Sequence, residues 1–201
     1  SEPEAVEYAY GFVRNGSSAD LIVSAGGETV MVYQVDEKGR IVDITTGNKC
    51  ASGTGEFFLQ QLARMDIPVE SASEKADTAA PYKVSGRCSV FCKSDCTHAL
   101  NIGVPRENVV SGLSDMMAGK ILELLKKVEL RNNGRDSEGP ESSTGGPNRL
   151  SAYVVGGSSQ NSLMMDFLRA RHPDVEIPSY ATVFEALGTA LWALDHDEAR
   201  I

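Results

Sequence analysis

The chain has little positive charge for its length. Its 201 residues include 19 lysines and arginines against 28 aspartates and glutamates, so the formal net charge is −9. Proteins that bind nucleic acid or an anionic membrane surface need a basic face to meet the phosphates. The charge balance therefore argues against DNA, RNA and anionic lipid as partners.

Long apolar runs are also missing. No stretch approaches the length that a membrane span needs, and the opening residues (SEPE) do not resemble a signal peptide. The composition, 41% apolar and 23% charged residues, is that of an ordinary globular protein of one large or two small domains. We therefore expect a soluble, cytoplasmic protein with no membrane partner.

Cysteine is scarce and unevenly spread. Of the four cysteines, Cys88, Cys92 and Cys96 fall within nine residues, and Cys50 stands apart. The chain is not a small secreted disulfide scaffold, and in a reducing cytoplasm such a cluster is more often metal-binding or buried. Zinc fits poorly, because there is no Cys-x-x-Cys knuckle and no histidine at ligand spacing. Iron–sulfur ligation by thiolates stays open.

The hydrophobic pattern predicts an α/β fold with a mixed sheet covered by helices. Alternating apolar runs joined by a Gly-Gly turn and a hairpin turn at 36–39 indicate an antiparallel start. A polar stretch rich in glycine, proline and serine, residues 131–149, predicts a flexible insertion. We predict strands within residues 21–44 and 152–177 and helices at 4–13, 56–65, 94–101, 107–128, 160–170 and 182–195.

Three glycine-rich turns adjoin these elements, at residues 26–27, 53–55 and 156–157. A glycine turn lets the backbone approach a phosphate or ribose closely, since no Cβ stands in the way. Each turn alone could be an ordinary connection between secondary-structure elements. Together, each next to a strand or a helix start, they favour a nucleotide held by several loops.

The order of these motifs resembles the second half of the actin/Hsp70/sugar-kinase superfamily. The matching segments are 23–29 (VSAGGET), 48–58 (NKCASGTGEFF), 154–161 (VVGGSSQN) and 186–191 (ALGTAL). More narrowly, NKCASGTG and residues 87–95 (RCSVFCKSD) resemble the BadF/BadG/BcrA/BcrD-type ATPases that activate 2-hydroxyacyl-CoA dehydratases and benzoyl-CoA reductases. The resemblance implies a ribonuclease-H-like fold, namely one lobe of an actin/Hsp70-type ATPase.

The resemblance also implies an iron–sulfur cofactor. In that family a homodimer holds one [4Fe–4S] cluster on its two-fold axis, and the matching ligands here are Cys50 and Cys88. Two thiolates from each chain would complete the four ligands of the cluster. The segment around Cys92 leaves two interpretations open. If residues 88–96 form one helix, Cys88 and Cys96 lie about 12 Å apart along its axis, so Cys92 and Cys96 are either buried thiols or ligands on a bent segment.

ATP or ADP with Mg²⁺ is the second cofactor that the resemblance implies. Its phosphates would meet the turn after the first strand, its adenosine would meet the turn near residue 156, and a helix would begin against it at residue 55. The implied nucleotide-binding residues are Gly26, Gly27, Glu28, Gly53, Thr54, Gly55, Gly156, Gly157 and Asn161.

The sequence departs from the superfamily pattern in two ways, and both suggest that the chain is one part of an ATPase domain. The first phosphate loop, Asp-x-Gly-(Ser/Thr), has no counterpart, and Ser24 stands where many relatives carry an aspartate that helps hold metal and water. We therefore expect the second lobe at 20–180, preceded by a connecting helix within 1–19 from a first lobe and followed by a closing helix within 181–201. ATP hydrolysis is expected to be incomplete in this chain alone.

The function that the resemblance implies is an ATP-dependent iron–sulfur activator, an electron donor to a partner dehydratase or reductase component acting on acyl-CoA esters. Two alternatives remain. One is a small-molecule kinase of the same superfamily in which the cysteines are structural. The other is a non-catalytic nucleotide-sensing or dimerisation domain of a larger protein.

Overall fold

A computed structural model describes residues 1–14, 18–47, 50–76, 80–135 and 149–197. Short 3₁₀ turns at Ala51–Gly53, Gly157–Gln160 and Ala181–Val183 connect regular elements. In chain order these elements are α1 (Glu2–Val13), β1 (Leu21–Ala25), β2 (Val30–Val35), β3 (Ile41–Thr46), α2 (Gly55–Arg64), α3 (Val69–Lys75), α4 (Ser89–Asn101), α5 (Arg106–Arg135), β4 (Ala152–Val155), α6 (Ser162–Arg171), β5 (Val175–Glu176) and α7 (Phe184–Asp197).

The five described strands form one mixed sheet, as predicted, and their order is β3-β2-β1-β4-β5. The first three strands pair antiparallel, and β4 is parallel to both β1 and β5. The β2–β3 turn forms because the Asp36 side chain accepts hydrogen bonds from the backbone N–H groups of Lys38 and Arg40, while Gly39 adopts a left-handed φ of 83°. The central strand β1 is buried along its whole length, since helices cover both faces.

The alternation of side chains along β1 divides the core into two layers. Leu21 and Val23 join the larger layer, which α2, α4, α5 and α6 complete. Ile22 points to the opposite face and packs with α1 and α7, where Tyr10 and Phe184 are fully buried. Helices on both faces therefore stabilise the strand ends that carry the glycine turns.

Helices α1 and α7, which the sequence predicts as connecting and closing helices, pack against each other. A Cβ on Gly188 would lie 1.7 Å from the Ala5 carbonyl oxygen, so only glycine allows this close crossing. The Tyr8 hydroxyl also donates a hydrogen bond to Asp195 at 2.7 Å. The first and last helices of the described chain therefore form one unit on one face of the sheet.

Two predicted boundaries are wrong. The helix predicted at 94–101 begins at Ser89, directly after the extended backbone of its N-cap residue Cys88. Asp95 therefore lies within the helix, where it accepts a hydrogen bond from the backbone N–H of Ser85. The flexible insertion predicted at 131–149 does not begin at 131, because α5 continues to Arg135. The Arg131 guanidinium bonds Asp43 and Thr45 of β3, each at 3.0 Å, and so fastens this last part of the helix to the sheet.

Residues 136–148 of the predicted insertion lie outside the described residues. Helix α3 was not predicted, because its seven residues are mostly polar and too few to show a period. Among the described helices, none combines the length and apolar character that crossing a bilayer requires.

Candidate nucleotide and cysteine sites

Three glycine turns meet at one edge of the sheet. The turn at Gly26 and Gly27 follows β1, and the turn at 156–157 follows β4, its parallel neighbour. Because parallel strands end at the same edge, these two turns lie side by side. The N-terminus of α2 joins them, since the N–H groups of Gly55 and Glu56 donate to the carbonyls of Gly26 and Gly27 at 3.1 and 3.0 Å.

The contact between these turns is too close for larger residues. Gly156 has a φ of +90°, and a Cβ there would lie 2.6 Å from the Ala25 carbonyl oxygen. Its N–H also donates to the Ala181 carbonyl at 2.7 Å. A Cβ on Gly55 would lie 2.9 Å from the Ser158 hydroxyl oxygen. Glycine at both positions therefore lets three backbone segments pack directly together.

A cavity of about 340 Å³ opens beside the three turns. Gly27, Gly55, Gly157 and Asn161 line it, so the structure brings together nucleotide candidates from all three motifs. Polar backbone on one side and apolar side chains on the other suit a ligand with a charged end and a flat apolar end. Its apolar wall comes from α2, α3 and α5 and comprises Phe58, Leu59, Val69, Ala72 and Met117.

Asn161 is held in place by two neighbours. Its side-chain oxygen caps α6 by accepting from the Met164 N–H at 3.0 Å, and its amide nitrogen donates to the Ser114 hydroxyl of α5 at 3.1 Å. The side chain is therefore a fixed part of the cavity edge that ties α6 to α5.

The backbone donors at the N-terminus of α2, which the sequence places against a nucleotide, are already bonded within the protein. The Thr54 hydroxyl accepts from the Phe57 N–H as an N-cap and donates to the Ala51 carbonyl at 2.8 Å. With the N–H groups of Gly55 and Glu56 bonded to the first glycine turn, these donors position that turn instead of remaining free for a phosphate.

Three further candidates line a second cavity of about 550 Å³, together with Cys50, whereas Gly26 and Gly156 line neither cavity. Glu28, Gly53 and Thr54 all contribute to its wall. Gly53 packs directly on Lys120 of α5, since a Cβ on Gly53 would lie 2.3 Å from the lysine Cδ. The motif at 50–55 thus lies between the cavity beside the glycine turns and the cavity that Cys50 lines.

Cys50 and Cys88 lie on two loops that contact each other. Cys50 precedes the 3₁₀ turn Ala51–Gly53, and Cys88 is the extended N-cap residue of α4. The Ser52 hydroxyl lies 3.3 Å from the Cys50 sulfur and donates to the Gly86 carbonyl at 3.0 Å. The backbone of Ser89, next to Cys88, lies close enough to the Cys50 thiol to lower its pKa. Both thiols are partly exposed.

The surroundings of Cys50 favour its thiolate. Burial by itself raises the pKa of this thiol. Contacts with the Ser52 hydroxyl, the N–H groups of Ser52 and Ser89 and the Lys120 ammonium outweigh burial, so the pKa lies below its usual value. A partly exposed cysteine of lowered pKa has the chemistry of a metal ligand or a nucleophile.

Cys92 and Cys96 do not join this pair. Residues 89–101 form one helix, and both thiols point from it into the larger core layer, where they are fully buried. The hydrogen bond to Cys96 and burial both raise the pKa of the Cys92 thiol, which favours its protonated form. The structure therefore decides the open question in favour of buried thiols.

Ser24, which occupies the position expected for an aspartate, contacts a carboxylate from another part of the chain. Its hydroxyl donates to Glu185 of α7 at 2.9 Å. Glu28 is exposed on the turn after β1. The acidic group next to the end of β1 therefore comes from the closing helix, which no local sequence pattern indicates.

Sequence reasoning missed Lys120 as a site residue. A lysine within a long amphipathic helix is ordinarily solvated, so its residue type carried no signal. In the structure its ammonium is buried beside the cysteine loops, and no described atom makes a hydrogen bond to it. Gly53 and Gly86, both distant from Lys120 in the sequence, pack closely on its side chain.

The fold matches the solved structure of a dehydratase activator. The structure of the activator of the 2-hydroxyisocaproyl-CoA dehydratase from Clostridium difficile with bound ADPNP superposes with a TM-score of 0.79 and 22% identity, covering 100% of this chain and 68% of that one. At this identity the match establishes the fold alone, an actin-like ATPase lobe, as predicted.

Sequence comparisons agree with this match. The 2-hydroxyisocaproyl-CoA dehydratase activator of Clostridioides difficile is 25% identical over 177 residues, which are 87% of this chain and 59% of that protein. One component of the benzoyl-CoA reductase of Thauera aromatica is 30% identical over 129 residues, 62% of this chain and 45% of that protein. The chain thus spans about half the length of the curated relatives it matches, from 40% to 59%.

A family model covers almost the whole chain. It is the model of the BadF/BadG/BcrA/BcrD ATPase family, and it matches residues 5–193, which include both cysteine loops and all three glycine turns. By this match the chain belongs to the BadF/BadG/BcrA/BcrD ATPase family.

Proposed function

We propose that the chain is the second lobe of an ATP-dependent iron–sulfur activator that donates electrons to a 2-hydroxyacyl-CoA dehydratase or benzoyl-CoA reductase-type enzyme. Family membership and the names of the relatives support this class of function. The chain spans about half of those relatives, so the complete activity belongs to a protein that also contains a first lobe. We place the reaction in the cytoplasm, where thiols stay reduced.

The observation that carries the proposal is the short connection between the two sites. Six residues, 50–55, run from Cys50 to the first residue of α2, and the backbone N–H of that residue holds the glycine turn at Gly26. Coupling between two sites requires elements that both sites share. A displacement of the glycine turns by a nucleotide would therefore move the loop that carries Cys50.

Within this proposal the glycine turns and Asn161 would hold ATP or ADP with Mg²⁺ against the apolar wall of α2, α3 and α5. Glu185, bonded to Ser24 at 2.9 Å, supplies a carboxylate at the end of β1. The first lobe would provide the other phosphate loop. Helices α1 and α7, packed together on one face of the sheet, would join the two lobes.

The donor set of the cysteine site fits an iron–sulfur cluster. Cys50 and Cys88 lie on contacting loops, are partly exposed, and meet at a helix N-terminus that favours negative charge. A [4Fe–4S] cluster supplies one-electron transfer at low potential and takes four thiolates, so two copies of this chain would share it. The exposed Val90 and Phe91 in the first turn of α4 supply apolar surface next to Cys88 for a homodimer contact.

Anaerobic iron and sulfide analysis of the native protein that contains this chain tests the proposal. We expect about four irons per dimer and a visible spectrum that changes when ATP is added. Cys50→Ala and Cys88→Ala should each lose the iron, whereas Cys92→Ala and Cys96→Ala are matched controls that should keep it. Iron that survives both of the first substitutions, or a protein that never takes up iron, would favour the kinase or nucleotide-sensing alternative.

A further inference from the structure

Lys120 of α5 lies between the two cysteine loops. Its Cδ packs under Gly53 of the Cys50 loop, and its Cε lies 3.6 Å from the position that a Cβ on Gly86 would take, on the segment before Cys88. The same side chain lines the 550 Å³ cavity that contains Cys50. It also lines a third cavity, which is lined by Arg87, has a volume of about 340 Å³ and is separate from the cavity beside the glycine turns. The ammonium therefore stands where the two loops converge.

The Lys120 ammonium has no carboxylate partner among the described residues. Its Nζ is buried and makes no hydrogen bond to any described residue. Glu123 lines both cavities, yet no ion pair forms between it and Lys120 within the described chain. Burying an unpaired ammonium is unfavourable, and a methionine would fill the same space without that cost. A cation kept at such a cost indicates an anionic group at this place in the working protein.

Helix α5 also connects Lys120 to the nucleotide cavity. Ser114 bonds Asn161 at the cavity edge, and Met117 lines its apolar wall. Lys120 follows Ser114 by six residues, about 9 Å along the helix axis. One rigid element thus contacts the nucleotide cavity and both cysteine loops.

We propose that Lys120 is a positioning residue of the cysteine site, whose ammonium balances the negative charge of the group that Cys50 and Cys88 bind and holds both loops against α5. This inference rests on the proposed function for the identity of that group. It assigns to α5, and not only to the loop 50–55, a role in linking the two sites.

The first test measures the charge at Cys50 in the metal-free protein. Alkylation rates of Cys50 by anionic iodoacetate and neutral iodoacetamide are compared at one pH by peptide mass spectrometry. Dividing the iodoacetate rate by the iodoacetamide rate cancels the thiolate fraction, so this ratio reports the electrostatic potential at Cys50. Lys120→Met should lower this ratio about three- to tenfold, the size expected for one nearby charge at an effective dielectric constant between protein and water.

Controls separate charge from packing. Lys127→Met removes an exposed lysine from the rim of the same cavity and should leave the ratio nearly unchanged. Lys120→Arg should restore most of the ratio, and Lys120→Gln provides a second neutral variant. Thermal unfolding should show Lys120→Met to be at least as stable as the wild type, because an unpaired buried charge is removed. An unchanged ratio in both neutral variants would overturn the proposal.

The second test uses the protein reconstituted with iron and sulfide. Lys120→Met should shift the reduction potential to a more negative value, since loss of a cation disfavours the more negative, reduced state. Unchanged potential in Lys120→Met would contradict the inference while leaving the proposed function intact. If the wild type takes up no iron, the proposed function fails, and the alkylation ratio still decides whether Lys120 sets the charge at Cys50.

Discussion

Gly156→Ala is expected to lower the free energy of unfolding by on the order of 3–5 kcal/mol. The left-handed φ of +90° disfavours any residue with a Cβ, and that Cβ would lie 2.6 Å from the Ala25 carbonyl oxygen. The backbone would have to move the turn after β4 away from the turn after β1. Urea unfolding followed by circular dichroism measures the loss.

Gly157→Ala is the matched control for this prediction. Gly157 is the next residue, and no described atom lies within 4 Å of the Cβ that alanine would add. Its free energy of unfolding should stay within about 1 kcal/mol of the wild type. Equal stability of the two variants would show that the glycine turns do not pack as closely as the structure indicates.

Gly112→Ala is expected to have an effect of similar size, on the order of 3–5 kcal/mol, at the other site. Gly112 lies on α5, and a Cβ there would lie 1.7 Å from the Tyr82 carbonyl oxygen. Tyr82 is fastened to the same helix by its N–H, which donates to the Asn108 carbonyl at 2.9 Å. Since this segment leads to Gly86 and Cys88, its displacement should also reduce iron uptake in the reconstituted protein.

Gly119→Ala provides the comparison on the same helix. No described atom lies within 4 Å of the added Cβ, and alanine has the higher helix propensity. We expect this variant to be more stable than the wild type by about 0.5–1 kcal/mol. A lower urea midpoint for Gly112→Ala and a higher one for Gly119→Ala would support the close contact at Gly112. Two midpoints equal to that of the wild type would exclude this contact.

The sites differ in how much of each could be predicted. The glycine turns were predicted because glycine beside a strand end is a local pattern, and the parallel pairing of β1 and β4 then brings two of them together. The division of the candidates between two cavities was not predicted. It depends on a contact between distant residues, since Lys120 of α5 packs against Gly53 and both line the cavity that contains Cys50.

The cysteines illustrate the same limit. Cys50 and Cys88 were predicted as ligands because each lies in a family-like motif. The spacing of Cys92 and Cys96 did not show whether these two thiols bind metal or are buried. The start of α4 at Ser89 decided it, because a continuous helix turns both later thiols into the core. The length of α5 likewise depended on a distant contact, since Arg131 is held by Asp43 and Thr45 on β3.

The sequence by itself determined the strands, most of the helices, the glycine turns and the family, because periodicity, backbone conformation and motif order are properties of neighbouring residues. The tertiary structure alone decided the pairing of Ser24 with Glu185, the burial of the Lys120 ammonium and the contact between the two cysteine loops. Each of these joins residues at least 34 positions apart in the chain. Their energies depend on burial and charge in the folded protein, which no local pattern encodes.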